Sequence, residues 1–363
     1  MRFRLRHKVV LVQGCVLVAL VLSACGGTVQ SKREVESTPQ AIKKAITVEA
    51  TVQVAPTATF THTPQPIATP TAVPPGLTPS PTPTSTPPLT SKNHFQRGED
   101  YVAQGDHEKA IGQYDQAILL DRQYASAYYH RGIAYAALGQ YERAIQDFDE
   151  AIRLDPQEAD AYHKRGVVYG TLGQYKRGIE DLDEVIRLNP QNAIAYYHRG
   201  IAYSAREQYQ RAIKDLDEVI RLDPQNAIAY YHRGIAYSAR EQYQQAIKDL
   251  DQAIRLDPQN AFAYYNRGIA YGRLKQYQWA IENLDQVIKL NPQNAFAFYN
   301  RGIAYVALEQ YQRAIEDLDQ AIKIDPRNPF AYYNRGVAYE KLGKSKKAQL
   351  DLQKAMELGY ETP

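Results

Sequence analysis

The chain has 363 residues, 23% of them charged, with two cysteines and a formal net charge of +3. Four of its 43 basic residues, Arg2, Arg4, Arg6 and Lys8, lie in a segment expected to be removed, which leaves 39 basic against 40 acidic. Such a balance lacks the electrostatic footprint of a nucleic-acid binder and the polybasic patch of a protein that adheres to an anionic membrane surface. Both cysteines fall within the first 25 residues, so neither can staple a fold.

Arg2 to Lys8 form a positive run, and Val9 to Leu22 an apolar run broken only by Gln13 and Gly14. The apolar run is shorter than the roughly 20 residues a membrane-spanning helix needs, and reads as an export signal. It ends in Leu22-Ser23-Ala24-Cys25-Gly26, which resembles the bacterial lipobox. That resemblance implies a signal peptide over 1–24, acylation of Cys25 with palmitate-type chains, and a lipoprotein of the cell envelope tethered to a membrane on its extracytoplasmic side. The alternatives are an ordinary secretory signal and an uncleaved anchor. Two or more acyl chains hold a protein stably to a bilayer. The second mature residue is Gly26 rather than Asp, so the usual inner-membrane retention signal is missing.

Residues 25–90 are expected to form a stalk. From Thr51 to Ser91 there is no Asp, Glu, Lys or Arg, and Thr and Pro dominate, as in Thr78-Pro79-Ser80-Pro81-Thr82-Pro83-Thr84. Such a segment buries too little apolar surface to offset chain entropy, which predicts a disordered linker. Pro-rich chains favour an extended conformation and act as semi-rigid spacers; a linker under no length constraint is the plainer alternative.

The rest of the chain repeats itself. Gly98, Gly132, Gly166, Gly200, Gly234, Gly268, Gly302 and Gly336 recur at a constant step, each preceded by Arg and followed three residues later by Tyr. The step is the 34-residue period of a helix-turn-helix array. Eight copies without insertions are read at 91–124, 125–158, 159–192, 193–226, 227–260, 261–294, 295–328 and 329–362. In the fourth copy, Ala193 to about Arg206 is predicted as helix A, with Tyr196, Gly200 and Tyr203 toward the core. Tyr209 to about Leu222 is helix B, with Ala212, Ile213, Leu216, Val219 and Ile220 on its inner face. Asp223-Pro224 stops helix B, because Pro cannot continue a helix and disfavours it one residue earlier. The acids of helix B sit at repeat spacing and read as a solvated face.

These residues resemble the tetratricopeptide repeat (TPR) motif. The family's fourth, eighth, eleventh, twentieth, twenty-fourth, twenty-seventh and thirty-second positions are met here by Tyr196, Gly200, Tyr203, Ala212, Leu216, Val219 and Pro224. The resemblance implies an all-α fold, a right-handed α-solenoid of helix-turn-helix units that bury their faces against one another. It departs from the family at the seventh position, which is always Arg. Pairs between that Arg and helix-B acids would make an internal ladder, worth roughly 0–1 kcal/mol per exposed pair; an anion-binding stripe is the functional alternative. The end copies are more polar, with His94 and Arg122 in the first and Lys344, Lys346 and Lys347 in the last, as terminal caps require.

In TPR proteins the second, fifth, sixth, ninth, twelfth and thirteenth positions of helix A face a concave groove. The resemblance therefore implies a partner-binding surface. Its fifth positions are Tyr129, Tyr197, Tyr231, Tyr265, Tyr299 and Tyr333, and its second positions Ile194, Ile228, Phe262, Phe296 and Phe330. Ile201, Ile235 and Ile269 stand at the ninth, and His198, His232, Asn266, Asn300 and Asn334 at the sixth, on the rim, to supply hydrogen bonds. Tyrosine suits such a face, with a large apolar body, a polar tip and little rotamer entropy to lose. With helices roughly 8–10 Å apart, an extended ligand would meet one rung about every three residues. The alternative is that these side chains only pack between neighbouring helices.

Two histidines one repeat apart fall short of the three or four ligands a zinc ion needs, and no metal is expected. No phosphate loop, nucleophile elbow or cofactor motif occurs in the repeats, so no enzyme, cofactor or small-molecule substrate is expected. The TPR carboxylate clamp needs Lys at a fifth and Asn at a ninth position, whereas fifth positions here are aromatic or His and ninth positions are Ile or Val in every repeat but the first, so a clamp of that type is not expected. The function expected is a membrane-tethered scaffold or adaptor that takes partner peptides or proteins in the groove. A glycan- or cell-wall-binding module and a structural spacer are the alternatives.

Overall fold

The computed structural model describes residues 89–360. Cys25, the segment 1–24 and nearly all of the Thr/Pro-rich stretch lie outside the described residues, and with them the export signal, the lipid anchor and the stalk.

Sixteen helices and no strand occur among the described residues. In chain order they are α1 (Ser91–Ala103), α2 (His107–Leu120), α3 (Ala125–Ala137), α4 (Tyr141–Leu154), α5 (Ala159–Thr171), α6 (Tyr175–Leu188), α7 (Ala193–Ala205) and α8 (Tyr209–Leu222). They continue as α9 (Ala227–Ala239), α10 (Tyr243–Leu256), α11 (Ala261–Arg273), α12 (Tyr277–Leu290), α13 (Ala295–Ala307), α14 (Tyr311–Ile324), α15 (Pro329–Lys341) and α16 (Ser345–Glu357). Odd-numbered helices are the A helices and even-numbered ones the B helices of eight hairpins. Each A helix packs on its own B helix, each B helix on the following A helix, and successive A helices touch from α3 onward. Every hairpin thus meets only its neighbours, the arrangement of a solenoid.

The ends of the helices follow from local chemistry. Asn192, Asn226, Asn260, Asn294 and Asn328 each accept a hydrogen bond from a backbone N–H in the first turn of the following A helix. This satisfies one of the four amides that a helix start leaves orphaned. Tyr124 and Glu158 hold the same place before α3 and α5 and give no side-chain cap. Each A helix ends in a left-handed residue. It is Gly105, Gly139, Gly173 and Gly343 in four repeats, but Glu207, Glu241, Lys275 and Glu309 in the other four. A side chain in that conformation costs roughly 1–2 kcal/mol. Helix B stops where Asp223 Oδ1 accepts from Gln225 N–H at 3.1 Å, a turn that the other repeats reproduce at Asp155, Asn189, Asp257, Asn291 and Asp325. The side chain satisfies the N–H two residues on after the helix has stopped, and it does so at Asp121 as well, where Arg122 stands in the proline's place.

The core is narrow and built around alanine. In the fourth repeat Ala195, Ala212 and Leu216 are fully buried, with Ala202, Ile213 and Val219 nearly so. The predicted helix-B face is confirmed apart from Ile220, which is half-buried; Ala195 and Ala202, each one residue before the predicted Tyr196 and Tyr203, are buried more deeply than those tyrosines. Small side chains at the helix crossing let the large rings lie across the seam. The conserved-spacing glycines meet this crossing unequally. A Cβ on Gly132 would stand 2.8 Å from the Phe148 ring, whereas one on Gly200 would stand 3.4 Å from Asp215 and Leu216, an ordinary contact.

Candidate functional site

The helix-A face carries an exposed apolar row beside a half-buried ring ladder. Ile194, Ile228, Phe262, Phe296 and Phe330 are 59, 56, 58, 49 and 51% exposed. Tyr129, Tyr197, Tyr231, Tyr265, Tyr299 and Tyr333 are half-buried, as are Ile201, Ile235 and Ile269. Burial pushes the Tyr197 and Tyr299 hydroxyls up to about 12. The row begins only at the fourth repeat: Lys92, Ser126 and Asp160 hold its place in the first three.

The sixth-position side chains depart from expectation. They do not simply rim the face with outward hydrogen-bond donors; several turn along the array to the tyrosine of the preceding repeat. Tyr197 Oη lies 3.2 Å from His232 Nε2. Asn266 Nδ2 donates to Tyr231 Oη at 3.5 Å, and Asn300 Nδ2 to Tyr265 Oη at 3.1 Å. The same amides of Asn266, Asn300 and Asn334 donate to the backbone carbonyls of Phe262, Phe296 and Phe330, each at 2.8 Å. His198 instead lies against His163, with ring centroids 5.1 Å apart. Burial lowers His163 and His232 to about 4 and His198 to about 3, so all three are neutral at neutral pH. At the far end Tyr360 stacks on Tyr333 at 4.3 Å and meets the Phe330 edge at 5.6 Å, covering rings that in other repeats face the next A helix.

Behind this face runs the arginine ladder. Arg199 donates from Nε and Nη2 to both oxygens of Asp215 at 2.9 and 2.7 Å, and from Nη1 to Asp183 at 2.7 Å. Asp215 belongs to the same hairpin and Asp183 to the one before, so one guanidinium joins an A helix to two B helices. Arg131, Arg165, Arg233, Arg301 and Arg335 repeat the pattern. The helix-B acids are therefore not a uniformly solvated face: the side chain of Asp215 is 8% exposed and that of Arg199 17%, while Asp183 is 53% exposed. Burial alternation on a 3.6-residue helix cannot be read from charge, and the two acids differ because one points at the crossing and the other past it. Burial raises the carboxyls of Asp147, Asp181, Asp215, Asp249 and Asp317 against the pull of their arginines. In the sixth repeat Asn283 replaces the buried acid and accepts from Arg267 Nε at 2.7 Å. Arg97, in the first described hairpin, is exposed and makes no ion pair with any described residue; Gln113 stands where later hairpins carry the buried acid.

A third periodic feature escaped the sequence reading. Arg143, Arg177, Arg211 and Arg313 lie over Tyr135, Tyr169, Tyr203 and Tyr305 at 5.4 to 5.8 Å. Trp279 takes this place in the sixth repeat, 56% exposed and stacked on Tyr271 at 6.2 Å. The signal was a basic residue eight places after the recurrent tyrosine.

No group of three or more potential metal ligands occurs among the described residues. No helix there is long and apolar enough to cross a membrane.

Family models tile the array. Those described as TPR repeat match 98–139, 134–173, 236–275 and 303–343. Those described as tetratricopeptide repeat match 261–294, 163–227, 216–248, 283–316 and 331–358. With sixteen helices in eight hairpins, the chain belongs to the tetratricopeptide-repeat family. Among solved structures, a tetratricopeptide repeat protein from Parabacteroides merdae is 19% identical with a TM-score of 0.51, over 71% of this chain and 98% of that one; it shares the fold. YrrB, described as a TPR protein with an unusual peptide-binding site, is 27% identical over 51% of this chain and 95% of its own, with a TM-score of 0.46. MamA from Desulfovibrio magneticus RS-1 is 26% identical over 47% and 96%, with a TM-score of 0.45. No curated protein matches the chain.

Proposed function

We propose that the protein is a non-catalytic scaffold that gathers protein partners on its helix-A face while a lipid on Cys25 tethers it to a membrane on the extracytoplasmic side. TPR folds commonly serve protein–protein interaction, and the observation that carries the reading here is the row Ile194, Ile228, Phe262, Phe296 and Phe330. Five large apolar side chains, each about half exposed, recur in line on one face. An exposed apolar row of this length is unfavourable in a free solenoid and marks a binding surface. The lipobox-like Leu22 to Cys25 supports the tether. A spacer role has one observation in its favour, the Tyr197–His232 and Tyr265–Asn300 bonds, which commit part of the ladder to packing.

Crosslinking capture in live cells tests the scaffold. The native chain is compared with a Tyr197/Tyr231/Tyr265→Ala variant whose helicity is checked by circular dichroism. A protein captured by the first and lost by the second supports the groove. Unchanged capture sends attention to the B-helix face, and no capture favours the spacer. Growth with a radiolabelled fatty acid tests the tether: label should enter the native chain and not Cys25→Ser.

A further inference from the structure

We propose that the helix-A face of repeats four to eight selects an uncharged polypeptide segment in the polyproline II conformation. This deepens the groove reading and rests on it.

Charge comes first. In repeats four to eight the second, fifth, sixth and ninth positions hold only Ile, Phe, Tyr, His, Asn and Val, without one formal charge. His198 and His232 stay neutral because they are buried. The same positions in repeats one to three include Lys92, Glu99, Asp160 and Lys164. A charged ligand residue entering at these positions would lose hydration and find no counter-charge; formal charge at the twelfth and thirteenth positions is confined to Arg273, Glu340 and Lys341, toward the C-terminal ends of their helices.

Spacing comes second. Successive A helices touch along these repeats, so rungs recur roughly every 8–10 Å. A polyproline II chain turns once in three residues and advances about 9.3 Å in doing so. Every third side chain therefore meets the next rung in phase. A β-strand returns to the same side after about 6.8 Å and an α-helix after about 5.4 Å, and both drift out of step within two rungs.

The polar groups are also arranged for a backbone. Asn266 and Asn300 each spend both amide hydrogens, one on the preceding tyrosine and one on their own helix. Their Oδ1 atoms are thereby fixed as acceptors. Tyr265 Oη accepts from Asn300 and keeps its own hydrogen to donate. A polyproline II segment has no internal hydrogen bonds, so its N–H and C=O groups are available to such pairs. The exposed Phe262, Phe296 and Phe330 supply flat apolar surface for proline rings.

Fluorescence anisotropy with the full chain tests this, using labelled twelve-residue peptides of four Thr-Pro-Pro, four Glu-Pro-Pro, four Lys-Pro-Pro or four Thr-Ser-Gly units. The Thr-Pro-Pro peptide should bind, the two charged peptides at least tenfold more weakly, and the flexible Thr-Ser-Gly peptide at least tenfold more weakly. Phe262→Ser with Phe296→Ser should weaken Thr-Pro-Pro binding at least tenfold and leave helicity unchanged, since both rings are exposed. Equal binding of a charged peptide, of the flexible peptide or to the Phe variant overturns the proposal. So does no binding by a chain whose partner capture is lost in the tyrosine variant, an outcome that leaves the groove reading standing. Selective Thr-Pro-Pro binding with capture unaffected by the tyrosine variant retains this proposal and removes the scaffold reading.

Discussion

The first three repeats and the following four share a backbone plan but solve its local problems in opposite ways. In repeats one to three the turn after helix A is Gly105, Gly139 and Gly173, and the outer edge of helix A is polar. In repeats four to seven the turn is Glu207, Glu241, Lys275 and Glu309 in a left-handed conformation, the A helices gain Asn caps, and the outer edge becomes Ile or Phe. The arginine ladder runs through both. The common part holds the hairpins in register, and the variable part sets what the surface can bind and how much strain the turns carry.

The largest expected effect falls on the common part. Arg165→Met and Arg233→Met each leave a buried aspartate without its partner and should cost about 3–5 kcal/mol in urea unfolding, alike in the two regions. Arg97→Met should change stability by less than about 0.5 kcal/mol, because that side chain is exposed and unpaired. A difference between Arg165 and Arg233 would break the claim of a shared ladder.

The glycines differ from repeat to repeat within both regions, since a Cβ would be as crowded at Gly234 and Gly302 as at Gly132. Gly132→Ala drives a methyl into the Phe148 ring and should destabilise by about 1–3 kcal/mol. Gly200→Ala meets ordinary contacts and should be neutral or stabilising by up to about 1 kcal/mol, since alanine favours the helix. Thermal melts of the two variants side by side decide this.

Acid sharpens the contrast in the middle of the array. His163, His198 and His232 have folded values of about 4, 3 and 4, below the ordinary 6.5, chiefly through burial, with Lys164 adding to the shift at His163 and His198 and Asp160 opposing it at His163. The unfolded chain takes up protons first, so their stabilisation is complete above pH 6.5 and is lost as pH falls toward 4–3. Between pH 7 and pH 5 the loss should be on the order of 2 kcal/mol per histidine at most. His163→Tyr, His198→Asn and His232→Asn together, residues other repeats use at these places, should flatten the pH dependence of the unfolding midpoint. The smallest effect is at the turns: Glu241→Gly should stabilise and Gly139→Glu destabilise, each by about 1 kcal/mol.

Much of this was legible in the residues. The recurrent Gly and Tyr and the Asp-Pro stops define the hairpins, because helix period and proline chemistry act locally. The candidate surface was legible in part. Ile194 and Phe262 are exposed on helix A, as their place in the repeat implies, but Tyr197 and His232 were read as separate features and prove to be partners 35 residues apart. The burial of Asp215 against the exposure of Asp183 was not legible, because two acids of one sequence character are told apart only by which faces the crossing.

By itself the sequence determined the repeat, its helices and their stops, since these depend on spacing and backbone chemistry within one hairpin. Only the tertiary structure decided which side chains join hairpins: that Arg199 spans two B helices, that Asn300 reaches Tyr265, and that a Cβ fits at Gly200 but not at Gly132. Those outcomes depend on distances between neighbouring hairpins, which no residue fixes until the hairpins pack.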